Sequence, residues 1–297
     1  MPLKTDISVW AAQIRTNFLI LSVVLVMIGG AAAHQDGYTD PFRLILVMMG
    51  VILSHISVNL FNEYSDYKTG IDFLTDRTPF SGGSGILQRE LLRPETVLKA
   101  GIATLLAAFL IGLYLCYETD WRLIFFILTG AFASVCYTSY LARWLLGELF
   151  AGLSLGTLVV LGTYFVVAQT LSLSIIVVSI PPGILTALLL LLNEFPDVEA
   201  DRAGGRKHLV IKYGKKKAAY IYSIGLVLTY ALIVIGVVLG GAPATILVSL
   251  LTIPLAARCG YVAVKHGDNR EKLIPALGMN VGVVIGTDLL LSVGYFL

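Results

Sequence analysis

Hydrophobic residues in this chain come in long uninterrupted runs, separated by short charged segments and not by the alternation of half-buried strands. Runs at 17–34, 42–62, 95–117, 122–141, 147–168, 174–194, 217–240, 242–264 and 272–297 are each close to what an α-helix needs to cross about 30 Å of hydrocarbon. The pattern predicts an all-α, polytopic membrane protein with nine transmembrane helices and no separate soluble domain. Ala31-Ala32-Ala33, closing the first run, reads either as a signal-peptidase site or as the end of a retained span, and a retained span is the expectation.

Composition agrees: 57% of residues are hydrophobic, 13% are charged, and the mean hydropathy is +0.85, which excludes an ordinary soluble globule. Basic residues then orient the chain. With the N-terminus in the cytoplasm, Lys4, Arg15, the loop carrying Lys68 to Lys99, Arg143, the loop from Arg202 to Lys217 and the last group from Arg258 to Lys272 all lie inside. Only Arg43 and Arg122 of the 21 basic residues are left outside, as the positive-inside rule requires. This orientation predicts a multi-pass protein of the cell membrane with its C-terminus outside. It also explains the formal charge of +2, so nothing points to nucleic acid. Cys116, Cys136 and Cys259 read as small buried hydrophobes, and the four histidines have no partner at ligand spacing; His55, inside a span, reads as polar glue between helices.

One five-residue phrase occurs twice where an apolar run meets a charged loop: Asn62-Glu63-Tyr64-Ser65-Asp66, with Asp72 beyond it, and Asn193-Glu194-Phe195-Pro196-Asp197, with Asp201 beyond it. On a helix Asn62 and Asp66 share a face, as do Asn193, Asp197 and Asp201. Two amide-and-carboxylate stripes at one membrane face suit Mg²⁺ bridging a diphosphate, since Mg²⁺ takes hard oxygen ligands from one or two carboxylates plus substrate phosphates. The alternatives are polar helix ends facing water, or a cation-coupled transporter, which would place its ions near the midplane.

The loops that continue from these phrases, about 65–94 and 195–216, form the predicted mouth of the site. Gly70 offers a bend that returns Asp72 toward Asp66, and Ser81-Gly82-Gly83-Ser84-Gly85 is either an anion-binding nest or a flexible tip. Lys68 and Arg77 are either phosphate partners or membrane anchors. Arg202, Arg206 and Lys207 follow the second phrase across Gly204-Gly205, bringing cations beside carboxylates. Lys215-Lys216-Lys217 reads as a headgroup anchor. Arg143 and Glu148 are expected to pair, and Arg15 and Asn17 to border the site.

The run Asn59-Leu60-Phe61-Asn62-Glu63-Tyr64-Ser65-Asp66 with Gly70 and Asp72, and the run Asn193 to Asp201 followed by Arg202-Ala203-Gly204, resemble the two Asp-rich signatures of the UbiA superfamily of intramembrane prenyltransferases. Cys136-Tyr137-Thr138, Gly147-Glu148-Leu149-Phe150 and Gly162-Thr163-Tyr164 are similar to its MenA-like, vitamin K2-synthesising branch. The resemblance covers about residues 15–216. It implies one prenyltransferase domain over 1–297, with helices around a central cavity and the Asp motifs at its cytoplasmic mouth. It further implies the ligand sets Asn62, Asp66, Asp72 and Asn193, Asp197, Asp201 for two Mg²⁺ ions, the four aspartates being catalytic. Asp76 is a rival to Asp72 as third ligand, with Asp72 favoured, and Gly85 stands where some members carry Arg.

What the resemblance implies for chemistry is transfer of an isoprenyl group from its diphosphate to a dihydroxynaphthoate-like ring in the membrane. Lys68, Arg77, Arg202 and Lys207 are then candidates to neutralise the diphosphate, Tyr137, Tyr140 and Tyr164 to face a developing carbocation, and Asn17 and Asn59 to line the cavity. A non-aromatic acceptor, such as a glycerol-phosphate ether lipid intermediate, is the runner-up.

Overall fold

The computed structural model describes residues 6–239 and 241–297, and all regular structure among them is helical. A short α1 (Ile7–Gln13) precedes α2 (Thr16–Gln35) and α3 (Pro41–Thr69), which is followed by one further turn, α4 (Ile71–Leu74). After a long loop come α5 (Pro94–Glu118), α6 (Ile124–Cys136) and α7 (Gly147–Gly152), the last continuing through a π-helical stretch (Leu153–Thr157) into α8 (Leu158–Ala168). Then α9 (Leu173–Val178) runs into α10 (Ile180–Asn193), and α11 (Val198–Ala203) leads to α12 (Leu209–Val238). A 3-10 segment (Ala244–Thr252) enters α13 (Ile253–His266), and α14 (Arg270–Gly294) ends the fold.

Local chemistry sets several of these starts. Asp40 accepts from the Arg43 N–H ahead of α3, whose first residue is Pro41, and Ser172 accepts from the Ile175 N–H ahead of α9; both are favoured ways of filling a helix N-terminus. Pro181 and Pro182, which lack backbone N–H groups, mark the break between α9 and α10.

Eight helical segments among the described residues are long and apolar enough to span a membrane, with Trp121–Cys136 as a shorter ninth. The chain is a multi-pass membrane protein. The expected fourth span, 122–141, is cut short: its helix rises only about 24 Å at 1.5 Å per residue. Beyond Cys136 the chain turns, with the Ala142 N–H donating to Tyr137 O at 2.8 Å and the Lys207 N–H donating to Ala142 O at 2.9 Å. Residues 137–143 therefore belong to the loop end of the bundle, where Leu141 and Ala142 are buried. Lys4, one of the basic residues used to orient the chain, lies outside the described residues.

The bundle divides into a solid part and a hollow part. α2, α10, α12, α13 and α14 pack into one continuous core around Leu25, Leu185, Tyr222 and Val284. Close backbone approach, not a hydrophobic gain over lipid, holds such helices together; at Gly29, for example, a Cβ would lie 2.5 Å from Val160 O across the α2–α8 contact. Ser22 and His55 tie α2 to α3 through a buried contact of 2.8 Å, the glue expected of His55. The side walled by α3, α5, α6 and α8 is hollow. Val47, Leu115, Leu123 and Val166 close the far end of that hollow.

Candidate active site

A cavity of about 410 Å³ runs along the inner face of α3 from Asp66 to Val47, a rise of about 28 Å. Its far portion is apolar. Its other end carries all six Asn and Asp residues of the two phrases: Asn62, Asp66, Asp72, Asn193, Asp197 and Asp201.

The two phrases reach this point by different backbone routes. α3 continues through Asp66 to Thr69, so the first loop begins later than residue 65. Gly70, at φ 80°, ends the helix in the left-handed region that favours glycine and turns the chain into α4, which delivers Asp72 back to the cavity beside Asp66. The second phrase is not one helix: α10 stops at Asn193, and a turn over Glu194–Asp197 starts α11. Asp201 still returns to the cavity, its N–H donating to Asp197 O at 2.9 Å.

Arg206 joins the two phrases. Its Nη2 lies 2.5 and 2.6 Å from the two Asp66 carboxylate oxygens and 3.5 Å from Asn62 Oδ1, while its Nη1 donates to Asp201 Oδ1 at 3.0 Å. Burial works against the charge, but the carboxylates of Asp66 and Asp201 outweigh it and raise the guanidinium pKa. Arg206 arrives there through the turn that ends α11, where its N–H donates to Asp201 O at 2.9 Å.

The first loop is strapped across the same end. Ser81 Oγ donates to Asp197 Oδ1 at 3.3 Å, Gln88 Nε2 to Asp72 Oδ2 at 2.5 Å, and the Ser84 N–H and Oγ to the two Glu63 oxygens at 2.8 and 2.5 Å. The Ser/Gly run is thus committed in part to protein carboxylates, and its Ser84 N–H is taken. Burial, reinforced by Asp66 and Glu63, pushes the Asp72 carboxyl up to about 7; burial and the neighbouring Asp201 push Asp197 up to about 7.

The structure separates several residues that the sequence groups together. Of the expected phosphate partners, Lys68 is exposed and leans on the Tyr64 ring, Arg202 is exposed and pairs with Glu199 at 3.5 Å, and Lys207 is exposed. Lys68 and Arg202 extend to the surface from the ends of α3 and α11, and Lys207 from the loop ahead of α12. Arg77 packs over Gly85 and donates to Gly82 O at 3.2 Å; a Cβ at residue 85 would fall 1.8 Å from Arg77 Nη1, so an arginine at 85 would require the Arg77 side chain to move aside. Asn59 and Tyr137 line the cavity, whereas Asn17 is exposed and outside it. Tyr140 is 54% exposed and edge-on to Trp144. Tyr164 sits on the face of α8 away from the hollow, its hydroxyl donating to Asp36 at the opposite end of the bundle. Asp76 pairs with Arg270 at 2.8 Å, leaving Asp72 as the acid beside Asp66. Arg143 and Glu148 do not pair, because Glu148 turns inward to accept the Leu209 N–H at 2.7 Å.

Two cations do face the cavity, Arg206 and Arg15. Arg15 lies over the Phe18 ring, 4.6 Å from its centroid, and has no carboxylate within salt-bridge distance among the described residues. Sequence spacing gave Arg206 no privilege over Arg202 or Lys207. The signal was the Gly204-Gly205 pair directly before it, which reverses the chain onto Asp201.

The donor set suits a hard cation: six carboxylate or amide side chains and no thiol. Asn193 Oδ1 is buried at the cavity edge without a hydrogen-bond partner, an orphan acceptor that a bound cation would satisfy.

A profile of the UbiA prenyltransferase family matches residues 22–281. The chain is 31% identical over 243 residues to the 1,4-dihydroxy-2-naphthoate octaprenyltransferase of Bacillus subtilis (strain 168), covering 81% of this chain and 77% of that one. Its fold is similar to the apo structure of a UbiA homologue from Aeropyrum pernix K1, with a TM-score of 0.70 at 19% identity over 91% of this chain and 95% of that one. It is also similar to a UbiA homologue from Archaeoglobus fulgidus bound to DMAPP and Mg²⁺, with a TM-score of 0.57 at 11% identity over 96% and 99% of the two chains.

Proposed function

The chain belongs to the UbiA prenyltransferase family, and from that premise we propose that it transfers an isoprenyl group from an isoprenyl diphosphate to a dihydroxynaphthoate-type quinone precursor within the membrane. The observation that carries this reading is the meeting of six hard-oxygen side chains with the mouth of a long apolar cavity. The relative from Bacillus subtilis, named for octaprenyl transfer to 1,4-dihydroxy-2-naphthoate, supplies the acceptor class.

In this proposal Asn62, Asp66 and Asp72 hold one Mg²⁺, and Asn193, Asp197 and Asp201 hold a second. When bound, Mg²⁺ neutralises charge gathering on the departing diphosphate. The remaining work belongs to the chain. Arg206 keeps Asp66 and Asp201 at a fixed separation before substrate arrives and presents charged N–H donors at the point where phosphate oxygens enter. Arg15 adds a second cation on the α2 side. The apolar hollow between α3, α5, α6 and α8 takes the isoprenoid tail and excludes water from a cation that water would quench. Tyr137 presents its ring beside the mouth, where the negative π face favours positive charge.

We place the mouth and both loops on the cytoplasmic side, with the C-terminus outside, following the distribution of basic residues. The test is to incubate purified protein in nanodiscs with labelled geranylgeranyl or octaprenyl diphosphate and, separately, 1,4-dihydroxy-2-naphthoate, 4-hydroxybenzoate and a glycerol-phosphate ether lipid intermediate. Product from the naphthoate alone is the expected result. Product from the glycerol-phosphate lipid alone would replace the quinone reading.

A further inference from the structure

Of the two cations that face the cavity, only Arg206 is committed to carboxylates. Arg15 is half-buried and lines the same cavity, yet it pairs with no carboxylate among the described residues. Its one side-chain hydrogen bond there is long, Nη2 donating to Phe80 O at 3.5 Å. A guanidinium carries five N–H donors, so most of this one's capacity stays open to an anion.

The backbone holds Arg15 in place deliberately. At φ 55° and ψ 53° it occupies the left-handed region, which non-glycine residues adopt rarely and at a cost that surrounding contacts must offset. Arg15 forms the junction between α1 and α2, and two bonds fix that junction: Asn59 Nδ2 donates to Ile14 O at 2.9 Å, and Thr16 Oγ1 to Ala11 O at 2.8 Å. The first bond comes from α3, the helix that carries Asp66. Asn59 lies one rise of about 10 Å before Asp66, so the junction is fastened to the cavity wall deeper than the carboxylates.

The surroundings favour an aromatic acid over a phosphate. Phe18 and Phe80 both line the cavity, and the Arg15 guanidinium lies 4.6 Å from the Phe18 ring centroid. A planar aromatic carboxylate calls for such a set, a fork of N–H donors for the carboxylate and apolar ring faces for its ring. A diphosphate calls for dense charge, which Mg²⁺ and Arg206 supply in the proposed reaction. Depth agrees, because the reacting carbon follows the diphosphate into the cavity and the acceptor must meet it there.

We propose, resting on the quinone-precursor reading, that Arg15 binds the carboxylate of the acceptor with Phe18 and Phe80 beside its ring. Asn59 is then a positioning residue, which holds Arg15 in its left-handed turn. The site selects acceptors that carry a carboxylate on the aromatic ring.

The test measures binding of 1,4-dihydroxy-2-naphthoate and of 1,4-dihydroxynaphthalene, the same ring without the carboxylate, to full-length protein in nanodiscs with Mg²⁺ and an unreactive isoprenyl thiodiphosphate. Arg15→Gln should weaken the naphthoate by roughly tenfold or more, the range of a charged hydrogen bond. Its affinity for the diol and for the thiodiphosphate should stay within about twofold of wild type, since neither makes the lost contact. Arg15→Lys keeps the charge without the fork, should lie between, and serves if the glutamine variant does not fold. Asn59→Ala should also weaken the naphthoate and spare the diol, whereas a merely structural loss would weaken both. Loss of thiodiphosphate binding in the Arg15 variants with naphthoate affinity kept would assign Arg15 to the diphosphate and overturn the proposal. Equal weakening of the two acceptors would overturn it as a packing effect. Wild-type protein that binds neither acceptor would overturn the quinone reading itself, and the carboxylate site with it.

Discussion

The guanidinium of Arg206 grips the carboxylate of Asp66 across 140 positions of sequence, Nη2 lying 2.5 Å from Oδ1 and 2.6 Å from Oδ2. With the second contact to Asp201, one side chain links the two halves of the site. Arg206→Ala leaves those carboxylates buried without a cation, a loss of the kind that costs about 3–5 kcal/mol. The metal-free variant should melt below the wild type, Mg²⁺ should recover much of the difference, and turnover should fall by about a hundredfold. Arg206→Lys should be intermediate, because it restores charge without the fork. Melting curves with and without Mg²⁺, beside turnover, check this; identical metal-free melting would remove the linking role.

Asp72 and Asp197 both sit at about 7 in the folded protein, raised above the usual carboxylate value by burial. A carboxyl whose folded pKa is raised binds more protons folded than unfolded, so its stabilising effect is present at low pH and is lost as pH rises through about 7. Metal-free protein should therefore be less thermostable at about pH 8 than at about pH 5.5. Mg²⁺ needs the ionised forms, so its stabilising effect should run the other way and grow over the same interval. A metal-free melting temperature that rises across this interval would contradict the burial of these two acids.

How far the site was legible depends on distance along the chain. Gly70 and Asp72 could be read together because a left-handed turn has a local signature, and the structure returns Asp72 to Asp66 through that turn. The two phrases could be matched because helix ends have a fixed period. The broken helix at Glu194–Asp197 was not legible, yet it changed little, since Asp201 reaches the cavity either way. Side-chain direction in the loops was the part hidden from sequence. Arg202, Arg206 and Lys207 have similar charge and neighbouring positions, and only the turn after α11 decides that the middle one faces inward. Tyr164 shows the same limit on a helix: a tyrosine in a span gives no hint of which neighbour it meets, and here it meets Asp36.

The surface positions of three basic residues lead to a direct contrast. Lys68→Ala, Arg202→Ala and Lys207→Ala should each leave turnover within about twofold of wild type, as surface changes usually do. Arg15→Ala removes an unpaired cation from the cavity wall and should cost about tenfold or more, the range of a charged hydrogen bond. Steady-state kinetics at saturating Mg²⁺ decide it. A loss at Lys68 or Lys207 matching that at Arg15 would mean that the exposed loops close further on substrate.

Tyr137 and Tyr164 should separate in the same assay. Tyr164→Phe loses one hydrogen bond at the far end of the bundle, worth about 1 kcal/mol, and should lower the melting temperature while kcat and KM hold. Tyr137→Leu removes an aromatic face from the mouth and should lower kcat with little change in diphosphate binding, since such a contact acts mainly in the transition state. Reversal of the two outcomes would place the reacting centre at the wrong end of the cavity.

The most direct measurement of the central claim is binding of an unreactive isoprenyl thiodiphosphate to full-length protein in nanodiscs, titrated with Mg²⁺ and then with EDTA. Asp66→Asn and Asp197→Asn are run beside the wild type, with folding checked by melting curves. The expected result is tight binding that requires Mg²⁺, is reversed by EDTA, and is lost in both variants although both remain folded. Equal binding of the analogue without Mg²⁺, or unaltered Mg²⁺-dependent binding in both variants, would contradict the assignment of the two phrases as the metal and diphosphate site.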